Sequence, residues 1–225
     1  MPQAGIHGLT GTVIRKWMPG KELLPLGIVL GTMAPDLDNL AVAAATLTGG
    51  ETEGLHRTFT HSLIVIAAIV ALFYLAAALF KRPSLGNLGL GLGIGISAHV
   101  LVDLVIWFNG VEILWPLDSW VNLWEKVTPP AWWMQLMEPA EFLFFGIYFA
   151  YLASLARKAG TNQGQLQSLR THTMVQYALF AVFTVLVYTI AEKTYMIPYG
   201  GLYLVSLILA VSLTIKMKDT LEAAV

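Results

Sequence analysis

Residues 62–80 read SLIVIAAIVALFYLAAALF, a run of 19 residues that contains no charged side chain. An α-helix rises about 1.5 Å per residue, so this run spans about 29 Å, which matches the hydrocarbon core of a bilayer. The run therefore predicts a membrane-spanning helix. Four further apolar stretches predict the same structure, at residues 86–108, 140–156, 174–191 and 199–215.

The stretch 22–48 is also apolar, but Pro35, Asp36 and Asp38 interrupt it. Non-helical backbone survives at membrane depth only where protein or a wet cavity covers it. We therefore interpret this stretch as a broken or partly inserted segment. Together the segments predict an all-α fold, a polytopic membrane helix bundle with about five to six membrane segments, one of them broken at PDLD, residues 35–38.

The composition agrees with this class of protein. Hydrophobic residues make up 56% of the chain and charged residues 12%, and the mean hydropathy is +0.68. A soluble domain carries about twice that charged fraction. We expect a single integral membrane domain over residues 1–225, with a core at 5–118 and additional membrane helices at 138–225. The net charge of -1 argues against a nucleic-acid-binding surface.

The distribution of Lys and Arg predicts an orientation. If residues 22–48 cross the membrane once, ten of the thirteen basic residues fall on one side, which should be cytoplasmic. The segment HRTFTHS, residues 56–62, then lies on the other side. This predicts a multi-pass protein of the cell membrane whose polar site faces away from the cytoplasm. A re-entrant 22–48 segment would instead divide the basic residues almost evenly.

His and Asp residues recur in and beside the apolar segments. Ionisable groups at membrane depth are costly and usually mark an interior site, and imidazole with carboxylate is a common ligand set for a metal ion. His99 and Asp103 are four residues apart, so on a helix they share a face and can hold one ion or each other. The candidate metal ligands are His7, Asp36, His56, His61, His99 and Asp103.

Several of these residues also have a purely structural interpretation. Asp36 and Asp38 can aim carboxylates at a divalent ion or cap the next helix. Thr60 or Ser62, beside the two His of HRTFTHS, can cap the helix that follows. Arg57 can anchor to a lipid headgroup or clamp a substrate phosphate.

A glycine pattern concerns helix packing. Gly89 with Gly93, and Gly91 with Gly95, repeat a small-xxx-small spacing that lets membrane helices approach closely. Close packing in this segment would hold the neighbouring His99 firmly.

Aromatic and acidic residues mark the second half of the chain. Six of the seven Trp lie between residues 107 and 133, which predicts an interfacial aromatic belt. The run DSWVNLWEKV, residues 118–127, predicts a short helix lying on the membrane. Glu138 and Glu141 fall near the predicted start of a membrane helix, where acidic side chains favour the helix dipole.

Five motifs occur in a fixed order: His7, PDLD at 35–38, HRTFTHS at 56–62, HVLVD at 99–103 and GVEILWP at 110–116. This order resembles the YdjM-like family of bacterial and archaeal membrane proteins, also described as membrane-bound metal-dependent hydrolases. The resemblance covers about residues 5–118. The family usually has Gly after the HR pair, and this chain has Thr58, so the local loop geometry is expected to differ.

The resemblance implies a metal-dependent hydrolase. The order of His, Asp, His and HxxxD is also similar, more distantly, to the zinc phospholipase C and P1 nuclease group, helical enzymes that cleave phosphoesters. Those enzymes carry a second His and acidic helix motif that this chain lacks, so we expect one or two ions, most simply zinc, rather than three.

The leading hypothesis is an integral membrane hydrolase in which the candidate ligands hold the metal. Asp38 would take a proton from a metal-activated water, and Arg57 would contact the phosphate of a lipid phosphoester drawn from the membrane. A metal or proton transporter is the alternative, although such proteins usually show two matching broken segments and only 22–48 looks broken. A non-enzymatic membrane protein with a structural metal is the third interpretation.

Overall fold

The computed structural model describes residues 4–223 and is built almost entirely of α-helices. The helices are α1 (Ala4–Ile14), α2 (Leu24–Met33), α3 (Asn39–Thr48), α4 (Leu63–Leu79), α5 (Pro83–Ile106), α6 (Ala131–Ala159), α7 (Leu166–Thr189), α8 (Glu192–Lys216) and α9 (Lys218–Ala223). Two short strands, β1 (Val111–Glu112) and β2 (Trp120–Val121), pair in antiparallel fashion. The predicted all-α fold is confirmed.

Four helical segments in the described part of the chain are long and apolar enough to cross a membrane. They are α5, α6, α8 and the run Gln163–Thr189 that contains α7. Helix α2 and the segment Pro35–Thr48 form a fifth candidate, bent by 42°. Helix α4 is apolar and has 17 residues.

The bend confirms the predicted break at PDLD. Between α2 and α3 the chain forms a 3₁₀ helix, Pro35–Asp38. Proline lacks an N–H group and its ring clashes with the preceding turn, so an α-helix does not continue through it without a kink. Asp38 is the residue just before α3, but its side chain makes no hydrogen bond that caps this helix.

The described residues cluster into two units. Residues 10–128 form one, here called the central unit, and residues 4–9 with 129–223 form the other, here called the flanking unit. Helix α1 contributes residues to both. The predicted core at 5–118 and the additional helices at 138–225 therefore fall largely on the two sides of residue 129.

Within the central unit, α5 packs against α2 along one row of glycines. A Cβ atom on Gly91 would lie 2.5 Å from the carbonyl oxygen of Leu24, and one on Gly95 would overlap the carbonyl oxygen of Ile28. No side chain fits between the two backbones at these points. The small-xxx-small spacing thus marks a real close approach of two helices.

A second row of glycines on α5 faces α4. A Cβ atom on Gly93 would lie 2.5 Å from Cγ2 of Val70, and one on Gly89 would overlap Cβ of Phe73. The two interleaved rows therefore serve two different neighbours. Helix α5 is held between α2 and α4 by contacts on two faces.

The row that faces α2 continues into the polar residues of the same helix. Gly91, Gly95, His99 and Asp103 are each four residues apart, so they follow one another along one face. The His99 Nδ1 atom lies 2.8 Å from the carbonyl oxygen of Thr32 in α2, which places this side chain directly above the glycine contact. The close helix packing therefore positions His99, as the sequence predicts.

The flanking unit has an aromatic core centred on α6. Phe142 stacks on Phe183 of α7 with ring centroids 5.2 Å apart, and Tyr199 of α8 meets the Phe142 ring edge-on at 5.4 Å. Four aromatic side chains of α6 are fully buried: Phe142, Phe145, Tyr148 and Phe149. These rings hold α6, α7 and α8 together.

Glu138 and Glu141 do not lie at a helix start, so that expectation was wrong. Helix α6 begins at Ala131, and both residues lie in its interior. Glu138 accepts a hydrogen bond of 2.7 Å from the Tyr195 hydroxyl, and Glu141 accepts one of 3.1 Å from the backbone N–H of Gly5. The hydropathy pattern predicted a membrane segment from residue 140, later than the observed start at Ala131, because hydropathy carries no information about the buried partners of the two glutamates.

The predicted helix at 118–127 is also wrong. This stretch contains β2 and turns, because the chain folds back on β1. Ser119 holds the fold-back: its carbonyl oxygen accepts from the N–H of Ile113 at 3.4 Å, and its hydroxyl accepts from the N–H of Leu114 at 2.7 Å. The aromatic belt around this loop stays a prediction.

We predict that Gly95→Ala destabilises the protein by about 1–3 kcal/mol, because the added methyl group overlaps the backbone of α2. Gly200→Ala in α8 is the matched control, since a Cβ there meets nothing within 4 Å. Thermal unfolding in detergent, followed by tryptophan fluorescence, measures both. An equal effect of the two substitutions would contradict the close-packing interpretation.

Candidate metal centre

The central unit brings together side chains from three sequence motifs. His61 ends a 3₁₀ helix, Phe59–His61, just before α4, and His99 and Asp103 lie one turn apart on α5. Asp38 ends the PDLD turn. His61 and His99 are 0% exposed, Asp103 is 2% exposed, and the Asp38 side chain is 5% exposed.

Three potential ligand atoms converge at the centre of this cluster. His61 Nε2 lies 3.1 Å from His99 Nε2, and these atoms lie 3.5 Å and 3.7 Å from Asp103 Oδ2. Two ligand atoms bound at about 2.1 Å to a tetrahedral ion are about 3.4 Å apart. The three atoms thus already have the mutual spacing of a metal-ligand set.

The tautomer of His99 follows from its partner. Its Nδ1 atom lies 2.8 Å from the Thr32 carbonyl oxygen, which can only accept a hydrogen bond. Nδ1 therefore carries the proton, and in the neutral ring Nε2 presents a lone pair to the cluster. Metal-binding histidines commonly use their second nitrogen in this way.

The tautomer of His61 follows from a longer chain of contacts. Its Nδ1 atom lies 2.9 Å from the Thr60 hydroxyl, and that hydroxyl donates its one proton to Asp38 Oδ2 at 2.7 Å. The hydroxyl is then free only to accept, so His61 Nδ1 donates to it. His61 Nε2, like its counterpart on His99, presents a lone pair.

Two neutral imidazoles and a carboxylate therefore point electron pairs at one another. With both ring protons on Nδ1, no hydrogen bond joins the two Nε2 atoms, and a divalent cation bound between the three atoms would accept all three electron pairs. Burial lowers the pKa of the His61 imidazole, and the negative charges of Asp103 and Asp38 oppose this shift only in part. The neutral form that binds metals is thus favoured. The residues fit a divalent ion.

Asp38 organises the cluster from one side. Its Oδ1 atom accepts from His56 Nδ1 at 2.7 Å, and its Oδ2 atom accepts from the Thr60 hydroxyl at 2.7 Å and from the backbone N–H of Arg57 at 3.3 Å. The other nitrogen of His56 accepts from Arg57 Nε at 3.3 Å. Both ring nitrogens of His56 are therefore engaged beside the three converging atoms.

Arg57 is held in an uncommon backbone conformation, with φ of 64°. Its side chain is 4% exposed, and its Nη2 atom lies 3.5 Å from Asp103 Oδ2. Among residues 4–223, no acceptor forms a hydrogen bond with its Nη1 atom. A non-glycine residue in the left-handed region persists where surrounding contacts demand it, commonly at functional sites.

The GVEILWP motif forms hydrogen bonds with the HRTFTHS segment and the residue that follows it, mainly through backbone atoms. The N–H of Glu112 donates to the Arg57 carbonyl at 2.8 Å, and the Ile113 carbonyl accepts from the N–H of Leu63 at 2.8 Å. Ser62 donates to the Trp115 carbonyl at 2.8 Å and also caps α4 by accepting from Ile64. This pairing explains why two motifs distant in sequence occur together.

Asp36 and His7, two further predicted ligands, are also buried. Asp36 is 1% exposed in the same 3₁₀ helix as Asp38, and His7 is 0% exposed in α1, within the flanking unit. Their role as ligands stays a prediction. Sequence reasoning missed the partners of the two central histidines: a backbone carbonyl leaves no sequence signal, and Thr60 was considered only as a helix cap.

The network predicts that Asp38→Ala destabilises the protein by about 3 kcal/mol, because several buried donors lose a charged acceptor together. Glu53→Ala, which removes an exposed carboxylate from the same loop, is the control and should have little effect. Denaturant unfolding in detergent measures the difference. Equal stability of the two variants would show that Asp38 does not organise the cluster.

Comparison with known proteins agrees with the motif order. A family model described as YdjM inner membrane protein matches residues 3–191, which extends the resemblance from the metal-site motifs through α7. No curated protein and no solved structure matches the chain. Membrane helices, the ordered motifs and the family match lead to one conclusion: the chain belongs to the YdjM inner membrane protein family.

Proposed function

We propose that the protein is an integral membrane metal-dependent hydrolase that acts on a phosphoester, most simply that of a lipid. The observation that carries this proposal is the convergence of His61 Nε2, His99 Nε2 and Asp103 Oδ2 within 3.7 Å of one another in a buried site. The proposal includes zinc as the first candidate ion and a site that faces away from the cytoplasm.

The donor set supports zinc and a catalytic type of site. The chain contains no Cys, so the thiolate ligands of most structural zinc sites are absent. Two imidazoles and one carboxylate are a ligand set of catalytic zinc enzymes, which keep the fourth position for water. When bound, such an ion supplies a water of lowered pKa and polarises the scissile group.

The remaining residues have distinct tasks in this proposal. Arg57, whose Nη1 atom makes no hydrogen bond within residues 4–223 and whose Nη2 atom lies 3.5 Å from Asp103 Oδ2, binds a phosphate oxygen, since a guanidinium matches phosphate geometry. Asp38, which accepts from the Thr60 hydroxyl beside His61, would take up the proton that such a water releases. The His56 side chain is 21% exposed, against 5% for its partner Asp38, so it lies nearer to the surface than that carboxylate.

The position of the site at the ends of two apolar helices supports a lipid substrate. The HRTFTHS segment ends where the apolar helix α4 begins, and Asp103 lies in the last turn of the apolar helix α5. Both ends of apolar helices fall where lipid headgroups are expected. A phosphoester in a headgroup would reach Arg57 from this layer.

Metal content is the first test. Detergent-purified protein prepared without chelator should contain about one divalent ion per chain, and His99→Ala and Asp103→Ala should lose it while remaining folded. His172→Ala, a change in α7 of the flanking unit, is the matched control and should keep the ion. A metal-free wild-type protein would overturn the proposal.

Hydrolysis is the second test, and Arg57 is the residue to vary. Arg57→Lys keeps the charge but loses the forked guanidinium, so hydrolysis of phospholipid in mixed micelles should fall about 100-fold in kcat/KM with metal content unchanged. Arg82→Lys, at an exposed position, is the control. Metal-loaded protein that cleaves no phosphoester would contradict the hydrolase and favour a transport or structural role.

A further inference from the structure

The Thr60 hydroxyl lies between Asp38 and His61 and contacts both. Asp38 Oδ2 is 2.7 Å away and His61 Nδ1 is 2.9 Å away. A hydroxyl has one proton to donate, and an ionised carboxylate can only accept. Because its proton is donated to Asp38, the Thr60 hydroxyl can only accept a hydrogen bond from the His61 imidazole.

The other neutral tautomer of His61, with its proton on Nε2, is incompatible with this set of hydrogen bonds. If His61 carried its proton on Nε2, its Nδ1 atom would be an acceptor, and the single Thr60 proton would have to serve two acceptors. The Nε2–H group would then point into the space that it shares with His99 Nε2 and Asp103 Oδ2. A metal ion binds that nitrogen only once its proton has been released.

We infer that Thr60 is a positioning residue, which holds His61 in the Nδ1–H tautomer and so keeps the Nε2 lone pair available to a divalent cation. The tautomer part stands on the hydrogen bonds alone, and the consequence for metal binding rests on the proposed function. This role was not visible in the sequence, where Thr60 is a candidate helix cap.

The two central histidines differ in how they are held. His99 donates to the Thr32 backbone carbonyl, which no side-chain substitution removes. His61 depends on a side chain, so its tautomer can be changed by a single substitution. Thr60 is therefore the point at which the ligand set can be perturbed without removing a ligand.

The test compares Thr60→Val, Thr60→Ser and Thr58→Val in the full chain in detergent. Valine keeps the shape of threonine without the hydroxyl, and serine keeps the hydroxyl. Thr58 is the matched control, because its hydroxyl donates to the Gly54 carbonyl at 2.7 Å in the same loop. Zinc affinity is measured by competition with a chelator. The His61 tautomer is measured in metal-free protein by ¹⁵N NMR, with the signal assigned by its loss in His61→Asn.

The expected result is an Nδ1–H signal for His61 in the wild type, the loss of this signal in Thr60→Val, and zinc binding weakened about 10- to 100-fold in that variant. Thr60→Ser and Thr58→Val should match the wild type in both measurements. Unchanged zinc affinity in Thr60→Val, or an Nε2–H signal in the wild type, would overturn the inference.

The same measurements separate this inference from the proposed function. If the wild type binds no zinc, the metal-dependent hydrolase fails, and the NMR comparison still decides the role of Thr60. A changed tautomer in Thr60→Val then supports that role, and an unchanged tautomer overturns it.

Discussion

A buried carboxylate next to a membrane helix is tolerated only when donors surround it, and Asp38 shows how this requirement shapes the central unit. Its two oxygens accept from His56, Thr60 and the Arg57 backbone. These donors all come from HRTFTHS, so the carboxylate ties the break after α2 to the start of α4. The orientation of His61, and with it the convergence of ligand atoms, depends on this one buried charge.

The glycine rows of α5 supply the second constraint, because they decide how close the helices come. Backbone contact at Gly91 and Gly95 brings α2 near enough for His99 to donate to a Thr32 carbonyl. A larger side chain in this row would move α2 away and leave the His99 Nδ1–H group without its acceptor. Close packing and the protonation of a candidate ligand are thus linked along one helix face.

Much of this organisation could be predicted from the sequence, and the exceptions have physical causes. Apolar length and the PDLD interruption indicated the membrane segments, since these depend on local composition. The start of α6 and the fold-back at 118–127 were predicted wrongly, because a buried Tyr195 partner for Glu138 and the pairing of β1 with β2 are contacts between distant residues. Thr60 was missed for the same reason.

The sequence by itself determined the all-α membrane class, the order of the motifs and the family, because hydropathy and motif order are properties of the linear chain. Which nitrogen of each histidine carries the proton is a different kind of property. It depends on whether an acceptor such as the Thr32 carbonyl, or a hydroxyl committed to Asp38, lies within hydrogen-bond distance. Only the tertiary structure decided that, because it alone places those atoms beside the rings.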